Sequence, residues 1–361
     1  MEKMFVLCPS LTQPRYHKRA AQLRESFSIQ VLGFSRGLYE INNFSEDFEV
    51  MHLGRVKDGQ YIHRIFSMVK AIYLLRRNIN KFKSSQAYFY VFGLDGLIIA
   101  RLSGLNVGFY EVGDIRFSRG NRNILSFFEN FLSKYLRAVI VTSPSFINEI
   151  KKSGPKIKNL PFYVIENKIP CSLNRPDFKS KSFQVQSKIK IGVIGFLRYE
   201  KPLRLLRDFV LQHSNRFELL CWGDGPCKNL FEENSSSSIH FFGSFKNPES
   251  LESIYSNIDL NFAVYGGVTS SEIGVKLALP NKLYESMFYR VPILCRDKTE
   301  VAKVAIENGI GIGLNDANFS NKLLSLTGDR IEEMRINCES MDTNNLIDNG
   351  QSIIMKLKTL L

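Results

Sequence analysis

The sequence contains no run of about 18 apolar residues, the length that a membrane-spanning helix requires. Its most apolar stretch, Tyr88 to Leu105, is interrupted by Asp95 and Arg101 and is more typical of a strand followed by a helix. The first residues, MEKMFVLCPS, enter an apolar strand pattern directly, without the basic and then apolar segments of a secretion signal. These absences predict a cytoplasmic protein. A content of 44% hydrophobic and 23% charged residues is ordinary for a globular chain.

Motifs for metals, disulfides and common nucleotide folds are missing as well. The six cysteines are scattered without a C-x-x-C pair, and the five histidines are isolated, so we predict neither a zinc site nor a disulfide framework. The first strand is followed by CPSLTQP instead of G-x-G-x-x-G, which argues against an NAD or FAD site there. The chain also lacks the G-x-x-x-x-G-K-[ST] of a P-loop.

Basic residues are concentrated in the first half of the chain. The net charge is +13; residues 1–170 contain 25 Lys and Arg against 13 Asp and Glu, an excess of +12, and residues 171–361 contain 23 against 22, an excess of +1. Such a field attracts phosphate groups, whether of nucleic acid, anionic lipid or a diphosphate-linked substrate. Solubility alone is the alternative. A nucleic-acid partner is disfavoured, because this half contains no recognisable binding module or aromatic stacking motif.

Short apolar runs alternate with amphipathic segments through both halves, a pattern that predicts parallel sheets covered by helices on both faces. We expect two doubly wound α/β domains at 1–170 and 188–340, joined by a polar, proline-containing linker at 171–187. The tail at 341–361 is predicted to be helical and to pack back on the first domain. Ligands of such sheets bind beyond the carboxyl ends of the strands.

Three segments of the second half carry the residues of a candidate anion site. The strand Ile189–Ile194 ends in Gly195 and Phe196, and Arg198 and Lys201 follow before a helix. Glycine allows a ligand to approach the backbone, and free amides at a helix start favour an anion. An ordinary strand–helix turn with surface cations is the equal alternative.

The other two segments are W-G-D-G-P, which contains Gly223 and Asp224, and L-P-N-K-L-Y-E-S-M, which begins a helix. Asn281, Lys282 and Leu283 start that helix, and Glu285 lies one turn further on the Asn281 side. A glutamate there can accept hydrogen bonds from both ribose hydroxyls, or it can serve only as a helix-dipole partner.

The ordered set G-F-L-R-x-x-K, G-D-G-P and P-N-K-L-Y-E-S-M-x-x-x-V-P-I-L resembles the nucleotide-sugar domain of GT-B glycosyltransferases. It is most similar to the family of bacterial capsule, O-antigen and exopolysaccharide enzymes. Residues 14–15, 110–114 and 139–143 resemble that family's N-terminal domain. The resemblance implies two Rossmann-like domains facing a central cleft, the first binding the acceptor and the second binding the nucleotide-sugar donor.

By this resemblance, Arg198 and Lys201 neutralise the donor diphosphate, Glu285 binds the ribose, and the turn at Gly223 and Asp224 borders the nucleoside. The family often has two glutamates separated by seven residues. Leu277 stands eight positions before Glu285, so the first glutamate is absent from its usual place, and Glu272 is the candidate substitute.

The chain has no D-x-D triplet of the kind that binds Mg²⁺ in many glycosyltransferases. We therefore expect no metal cofactor, with fixed cations and helix amides stabilising the leaving diphosphate. The resemblance suggests retention of anomeric configuration. Inversion would need a general base from the first domain, for which Asp114 is the candidate and Asp95 the reserve.

The acceptor is expected to be a glycan, either free or linked to polyprenyl diphosphate, in bacterial surface-polysaccharide synthesis. The segment Tyr61–Lys83 is predicted to be one helix with an apolar stripe that faces the core. Its cations remain available to an anionic membrane surface, which favours peripheral attachment to the inner face of the cytoplasmic membrane. The stripe contains Ile62, Ile65, Phe66, Val69, Ile72 and Tyr73, and the cations are Arg64, Lys70, Arg76, Arg77, Lys81 and Lys83.

Two other functions remain open from the sequence. A GT-B-fold sugar-nucleotide epimerase would consume the donor without an acceptor. A non-catalytic binding protein would use the basic surface alone.

Overall fold

The computed structural model describes residues 2–35, 47–56, 60–83, 87–115, 117–120, 123–176, 188–233, 237–266, 273–348 and 350–361. The chain forms two compact units, each with its own core. The first unit contains Met1–Glu166 and Asn349–Leu361, and the second contains Asn167–Asp348. None of the helices among the described residues is long and apolar enough to cross a bilayer.

The first unit is built on a parallel sheet of seven strands in the order β3-β2-β1-β4-β5-β6-β7. Most of these strands are almost continuous apolar runs, as expected for strands covered on both faces. The strands are β1 (Lys3–Cys8), β2 (Ser28–Ser35), β3 (Glu49–Arg55), β4 (Tyr88–Phe92), β5 (Val107–Val112), β6 (Ala138–Val141) and β7 (Phe162–Val164).

Helices connect these strands and cover both faces of the sheet. The described helices are α1 (Pro14–Arg24), α2 (Tyr61–Arg77), α3 (Ile79–Lys83), α4 (Gly93–Leu102), α5 (Ile124–Leu132), α6 (Ser145–Lys151) and α7 (Pro155–Lys158). The chain returns to this unit at its end, where α17 (Gly350–Lys358) packs against α1 and buries Ile354 and Leu357 in the core.

The second unit has a parallel sheet of six strands in the order β10-β9-β8-β11-β12-β13. Its strands are β8 (Ile189–Phe196), β9 (Phe217–Asp224), β10 (Ile239–Gly243), β11 (Leu260–Ala263), β12 (Ile293–Arg296) and β13 (Gly311–Leu314). Its described helices are α8 (Glu200–Gln212), α9 (Asn229–Glu232), α10 (Leu251–Ser256), α11 (Ile273–Leu277), α12 (Asn281–Phe288), α13 (Glu300–Glu307), α14 (Phe319–Leu324), α15 (Gly328–Ser340) and α16 (Thr343–Leu346).

The order reverses beside β8, whose sheet neighbours are β9 on one side and β11 on the other. In a doubly wound sheet, this switch point opens a crevice at the carboxyl edge.

The start of the predicted linker is fixed to the second unit. Arg175 donates hydrogen bonds to four main-chain carbonyls on two helices, including those of Met287 (2.8 Å) and Cys338 (2.7 Å). Residues 171–176 therefore act as an arm of that unit, whereas 177–187 lie outside the described residues.

The predicted long helix at Tyr61–Lys83 is two helices, because Asn78 interrupts it and donates its side-chain amide to the Leu74 carbonyl. The expected orientation of its apolar stripe is wrong. Ile62, Phe66 and most of their neighbours in the stripe are exposed, and the smaller Ala71 and the next-turn Leu75 are buried instead. The helix is rotated so that Ala71 and Leu75 face inward.

Candidate functional site

The first two sequence motifs of the second half meet at the carboxyl edge of its sheet. In the register of β8 and β9, Gly195 lies opposite Gly223, and Phe196 lies opposite Asp224. The backbone continues this pairing past the strands, since the Leu197 amide donates to the Asp224 carbonyl (2.8 Å). The Gly225 amide donates to the Asp224 side chain (2.7 Å), which closes the turn.

Glycine is required at this contact for two separate reasons. Gly195 has a φ of +111° and Gly223 a φ of +153°, both of which disfavour side chains with a Cβ. A Cβ built on Gly223 would lie 1.8 Å from the Gly195 carbonyl oxygen. The two strand ends therefore approach closely only because Gly223 has no side chain, whereas Gly195 is favoured by its backbone conformation.

The third motif joins this edge through the start of α12. Pro280 is extended (φ −75°, ψ 155°) and stops the preceding segment, so Asn281 begins the helix at an exposed position. The Lys282 side chain extends over the first motif, where its Cε lies 3.8 Å from the position of a Cβ built on Gly195. Three segments that are distant from one another in the sequence thus share one edge.

Glu285 lies at the inner end of this arrangement and is 4% exposed. Its Oε2 accepts hydrogen bonds from both Lys282 Nζ (2.6 Å) and the Tyr255 hydroxyl (2.8 Å). Its Oε1 receives no hydrogen bond from the part of the chain that the structure describes. A buried carboxylate held by one oxygen has its second oxygen available to hydroxyl donors of a ligand.

Tyr255 and Asn261 form the support behind Glu285. Burial, and then the adjacent Glu285 carboxylate, raise the pKa of the Tyr255 hydroxyl well above its usual value, so this group remains a donor. The fully buried Asn261 donates its amide to the Tyr255 oxygen (3.2 Å) and to the Ser286 hydroxyl (2.8 Å). These residues could not be identified from the sequence, because isolated polar residues in strands and helices carry no motif.

Two further tyrosines of this edge were also missed. Tyr199 directly precedes α8 and Tyr265 follows β11, and their rings lie 5.9 Å apart. Burial, and then Glu285, raise the pKa of Tyr265. An aromatic residue in the short connection that follows a strand is the signal that could have indicated them.

The two predicted diphosphate-binding cations lie beside the first motif. The Arg198 guanidinium is exposed and lies over the rings of Phe196 (5.6 Å) and Tyr199 (5.8 Å). Lys201 is in the first turn of α8 and forms a half-exposed ion pair with Asp316 (2.5 Å). An exposed pair of this kind contributes roughly 0–1 kcal/mol, so an incoming diphosphate can replace Asp316 at little cost.

Leu283 is placed differently from the other predicted site residues. Leu283 is buried in the core and its amide donates to the Pro280 carbonyl (3.0 Å), so its side chain faces away from the edge. Glu272 lies outside the described residues.

The two candidate bases lie in the first unit. Asp114 is exposed just beyond β5, next to Gly113, whose carbonyl accepts from the Arg15 guanidinium (3.0 Å). Asp95 is in the first turn of α4, where it pairs with Arg64 of α2 and lines a small pocket at the carboxyl end of β1.

Among the described residues, no three His, Cys, Asp or Glu side chains cluster in a way that could hold a metal ion.

No family model matches the chain. It is similar to the succinoglycan biosynthesis protein ExoL of Rhizobium meliloti (strain 1021), with 27% identity over 343 residues, 89% of this chain and 83% of the relative. HepE from Anabaena, solved in complex with UDP, is 14% identical with a TM-score of 0.61 over 99% of this chain and 100% of the other. WaaG, described as a glycosyltransferase involved in lipopolysaccharide biosynthesis, is 13% identical with a TM-score of 0.65 over 97% and 99%.

These likenesses confirm the predicted fold class of two Rossmann-like units and the resemblance that the three motifs indicated. The chain therefore has the GT-B fold.

Proposed function

We propose that this protein transfers a sugar from a nucleoside-diphosphate sugar to a lipid-linked glycan acceptor during bacterial surface-polysaccharide synthesis. The observation that carries the proposal is the meeting of Gly195, Gly223, Lys282 and Glu285 at one sheet edge. The names of two similar proteins, from succinoglycan and lipopolysaccharide biosynthesis, support the pathway class. The same names do not favour the epimerase alternative.

The nucleoside binds between the turn at Asp224 and Glu285. Oε1 of Glu285 accepts the ribose hydroxyls, because Lys282 and Tyr255 already occupy Oε2. Gly195 admits the diphosphate close to the backbone at the start of α8, beside Arg198 and Lys201. A neighbour solved with UDP makes a uridine donor the first to test.

Departure of the nucleoside diphosphate builds negative charge on its phosphate oxygens. Arg198, Lys201 and the amides at the start of α8 stabilise that charge through positions fixed before the reaction, so transfer proceeds without a metal ion. With retention of configuration, a phosphate oxygen of the leaving group takes the acceptor proton. With inversion, Asp114 takes it, and NMR of the product linkage distinguishes the two.

The acceptor approaches the basic first unit, and the enzyme works on the inner face of the cytoplasmic membrane. The excess of +12 in residues 1–170 attracts both the diphosphate of a polyprenyl carrier and anionic lipid headgroups.

The test begins with thermal stabilisation of the purified protein by UDP, GDP, ADP, CDP and dTDP in the presence of EDTA. A selective shift by one nucleotide identifies the donor class, and no shift by any of them would refute the site. Transfer of labelled sugar into a lipid-extractable product then tests the acceptor. Donor consumption without an acceptor would instead indicate an epimerase.

The Lys201→Ala variant is expected to lower the turnover number at least about a hundredfold, the scale of losing one fixed charge stabiliser. Lys303→Ala, at an exposed position of α13, is the control and should leave turnover unchanged. Near-normal turnover in Lys201→Ala would contradict the assignment.

A further inference from the structure

Helix α5 has its polar side turned inward. Glu129 is fully buried on the inner side of the helix and receives both prongs of the Arg119 guanidinium, at 2.6 and 2.8 Å. The hydroxyls of Tyr110 (2.6 Å) and Ser153 (2.5 Å) complete its hydrogen bonds. These partners come from β5 and from the segments that flank α5 and α6, so they fix the rotation of α5 about its axis.

The outer side of the same helix is apolar. Phe127 is 64% exposed and Phe131 is 56% exposed, one turn apart, with their rings stacked at 6.5 Å. Ile124, Leu125 and Phe128 are exposed beside them. A helix of a water-soluble unit normally turns such a face toward the core. Rotating α5 to do so would place Glu129 in water and leave Arg119 buried without its partner, which is strongly unfavourable.

This face continues onto neighbouring helices. Helix α4 packs against both α5 and α2, so the three helices form one layer on the same side of the sheet. The outward stripe of α2, from Ile62 to Tyr73, and Leu102 at the end of α4 are exposed in the same layer. An exposed apolar surface of this extent marks an interaction site.

Cations border the apolar face of α5. Lys156 of α7 lies over the Phe131 ring (5.1 Å), and Lys134 lies over the exposed Tyr135 ring (4.6 Å). Tyr135 has a φ of +69°, an unfavourable conformation for a residue with a side chain. Aromatic side chains beside flexible cations match the interfacial zone of an anionic bilayer, where rings enter the acyl boundary and ammonium groups meet headgroup phosphates.

We propose that α5 is an inverted amphipathic helix that inserts Phe127 and Phe131 into the interfacial region of an anionic membrane, with α2 as the second contact of the same layer. The buried Arg119–Glu129 pair keeps the aromatic face outward before the membrane is met. The inference deepens the proposed function, since it supplies the surface on which a lipid-linked acceptor is presented.

The experiment uses the full chain and vesicles of phosphatidylcholine with or without phosphatidylglycerol. Wild type is expected to co-sediment with the anionic vesicles. Phe127→Ser/Phe131→Ser should lower the partition coefficient at least about tenfold, because two rings lose their burial. The matched control, Ile306→Ser/Ile336→Ser, removes two equally exposed apolar side chains from the second unit and should bind like wild type.

Insertion is read directly in Phe131→Trp with vesicles of brominated lipid. The single tryptophan of wild type is Trp222 in the second unit. We expect the brominated lipid to quench the tryptophan fluorescence of Phe131→Trp more than that of wild type. Equal binding by the Phe127→Ser/Phe131→Ser and control variants, or no added quenching, would overturn the proposal. A third result would also overturn it: wild type sediments as a dimer, the Phe127→Ser/Phe131→Ser variant sediments as a monomer, and neither protein binds vesicles. A second copy of the chain would then cover the face.

Nucleotide-induced stabilisation, measured on the same samples, keeps the two proposals separate. The double variant should retain the nucleotide response of wild type, because that response belongs to the second unit. If wild type binds vesicles but is stabilised by no nucleotide, the proposed function is contradicted and the membrane-docking proposal is retained.

Discussion

Replacing Gly223 by alanine tests the close contact on which the candidate site depends. The new Cβ would lie 1.8 Å from the Gly195 carbonyl oxygen, whereas real Cβ atoms essentially never come within 3.0 Å of such a neighbour. The obstacle is backbone, so no side-chain rotation relieves it. The strand ends must separate, at a cost of roughly 1–3 kcal/mol, in addition to about 1–2 kcal/mol for an alanine at positive φ.

Gly243→Ala is the matched control in the same sheet. Gly243 also has a positive φ, +73°, but a Cβ built there meets no atom within 4 Å. It therefore carries the conformational cost alone. For a unit of this size, 1 kcal/mol corresponds to roughly 2–4 °C in Tm. We expect a fall of about 2–8 °C in Gly243→Ala and roughly 4–20 °C in Gly223→Ala.

Differential scanning fluorimetry with and without the best nucleotide measures both effects. Gly243→Ala should keep the nucleotide-induced shift of wild type, since its new Cβ displaces no neighbouring atom. Gly223→Ala should lose most of that shift, because separation of β8 and β9 displaces Gly195 and Asp224. Equal stability and equal nucleotide shifts in the two variants would refute the packing argument.

Two further predictions concern Glu285 and the buried thiols. Glu285→Gln removes the charge that holds Lys282 and should weaken nucleotide binding at least about tenfold, as measured by calorimetry. The control Glu233→Gln, at an exposed position, should leave the affinity unchanged. Equal affinities in the two variants would contradict the ribose role of Glu285. Burial raises the pKa of Cys295 and of Cys338 to about 12 from 9.0. The unfolded chain therefore loses these protons first, and the unfolding free energy should fall as pH rises from about 9 toward 12, by up to about 1.4 kcal/mol per pH unit for each thiol. Urea denaturation of Cys295→Ala should show a shallower decline than wild type above pH 9, and identical slopes would contradict the assignment.

Much of the fold could be predicted from the sequence because each domain repeats apolar strands and amphipathic helices at regular spacing. Strand β13 was missed, since two of its four residues are glycines that weaken the apolar signal. Helix α15 was missed because its polar and apolar residues form no clear stripe. The sequence pattern of residues 123–137 predicts one helix, but α5 ends at Leu132 before a turn that places Tyr135 at positive φ.

The candidate site was predictable where a motif carries it and not where tertiary packing supplies it. Gly195, Gly223 and Glu285 stand in sequence patterns, so their types and spacing indicated a shared role. Tyr255 and Asn261 acquire their role only in the folded sheet. The pairing of β11 with its neighbours brings Asn261 beneath the start of α12, where it supports Tyr255. No local pattern encodes that proximity.

The orientation of α2 and α5 shows what helical periodicity leaves undetermined. A periodic apolar stripe identifies one face of a helix, but it does not state whether that face meets a core, another protein or a bilayer. In both helices the inner side carries an ionic contact, Arg64 to Asp95 for α2 and Arg119 to Glu129 for α5. Glu129 is fully buried and can be placed only beside Arg119, so this pair determines the rotation of α5. The Arg64–Asp95 pair is partly exposed, and in α2 it accompanies the burial of Ala71 and Leu75. The excess of basic residues in the same unit and the outward apolar stripes favour the same proposed partner. A surface that is both apolar and positive suits an anionic membrane better than it suits water.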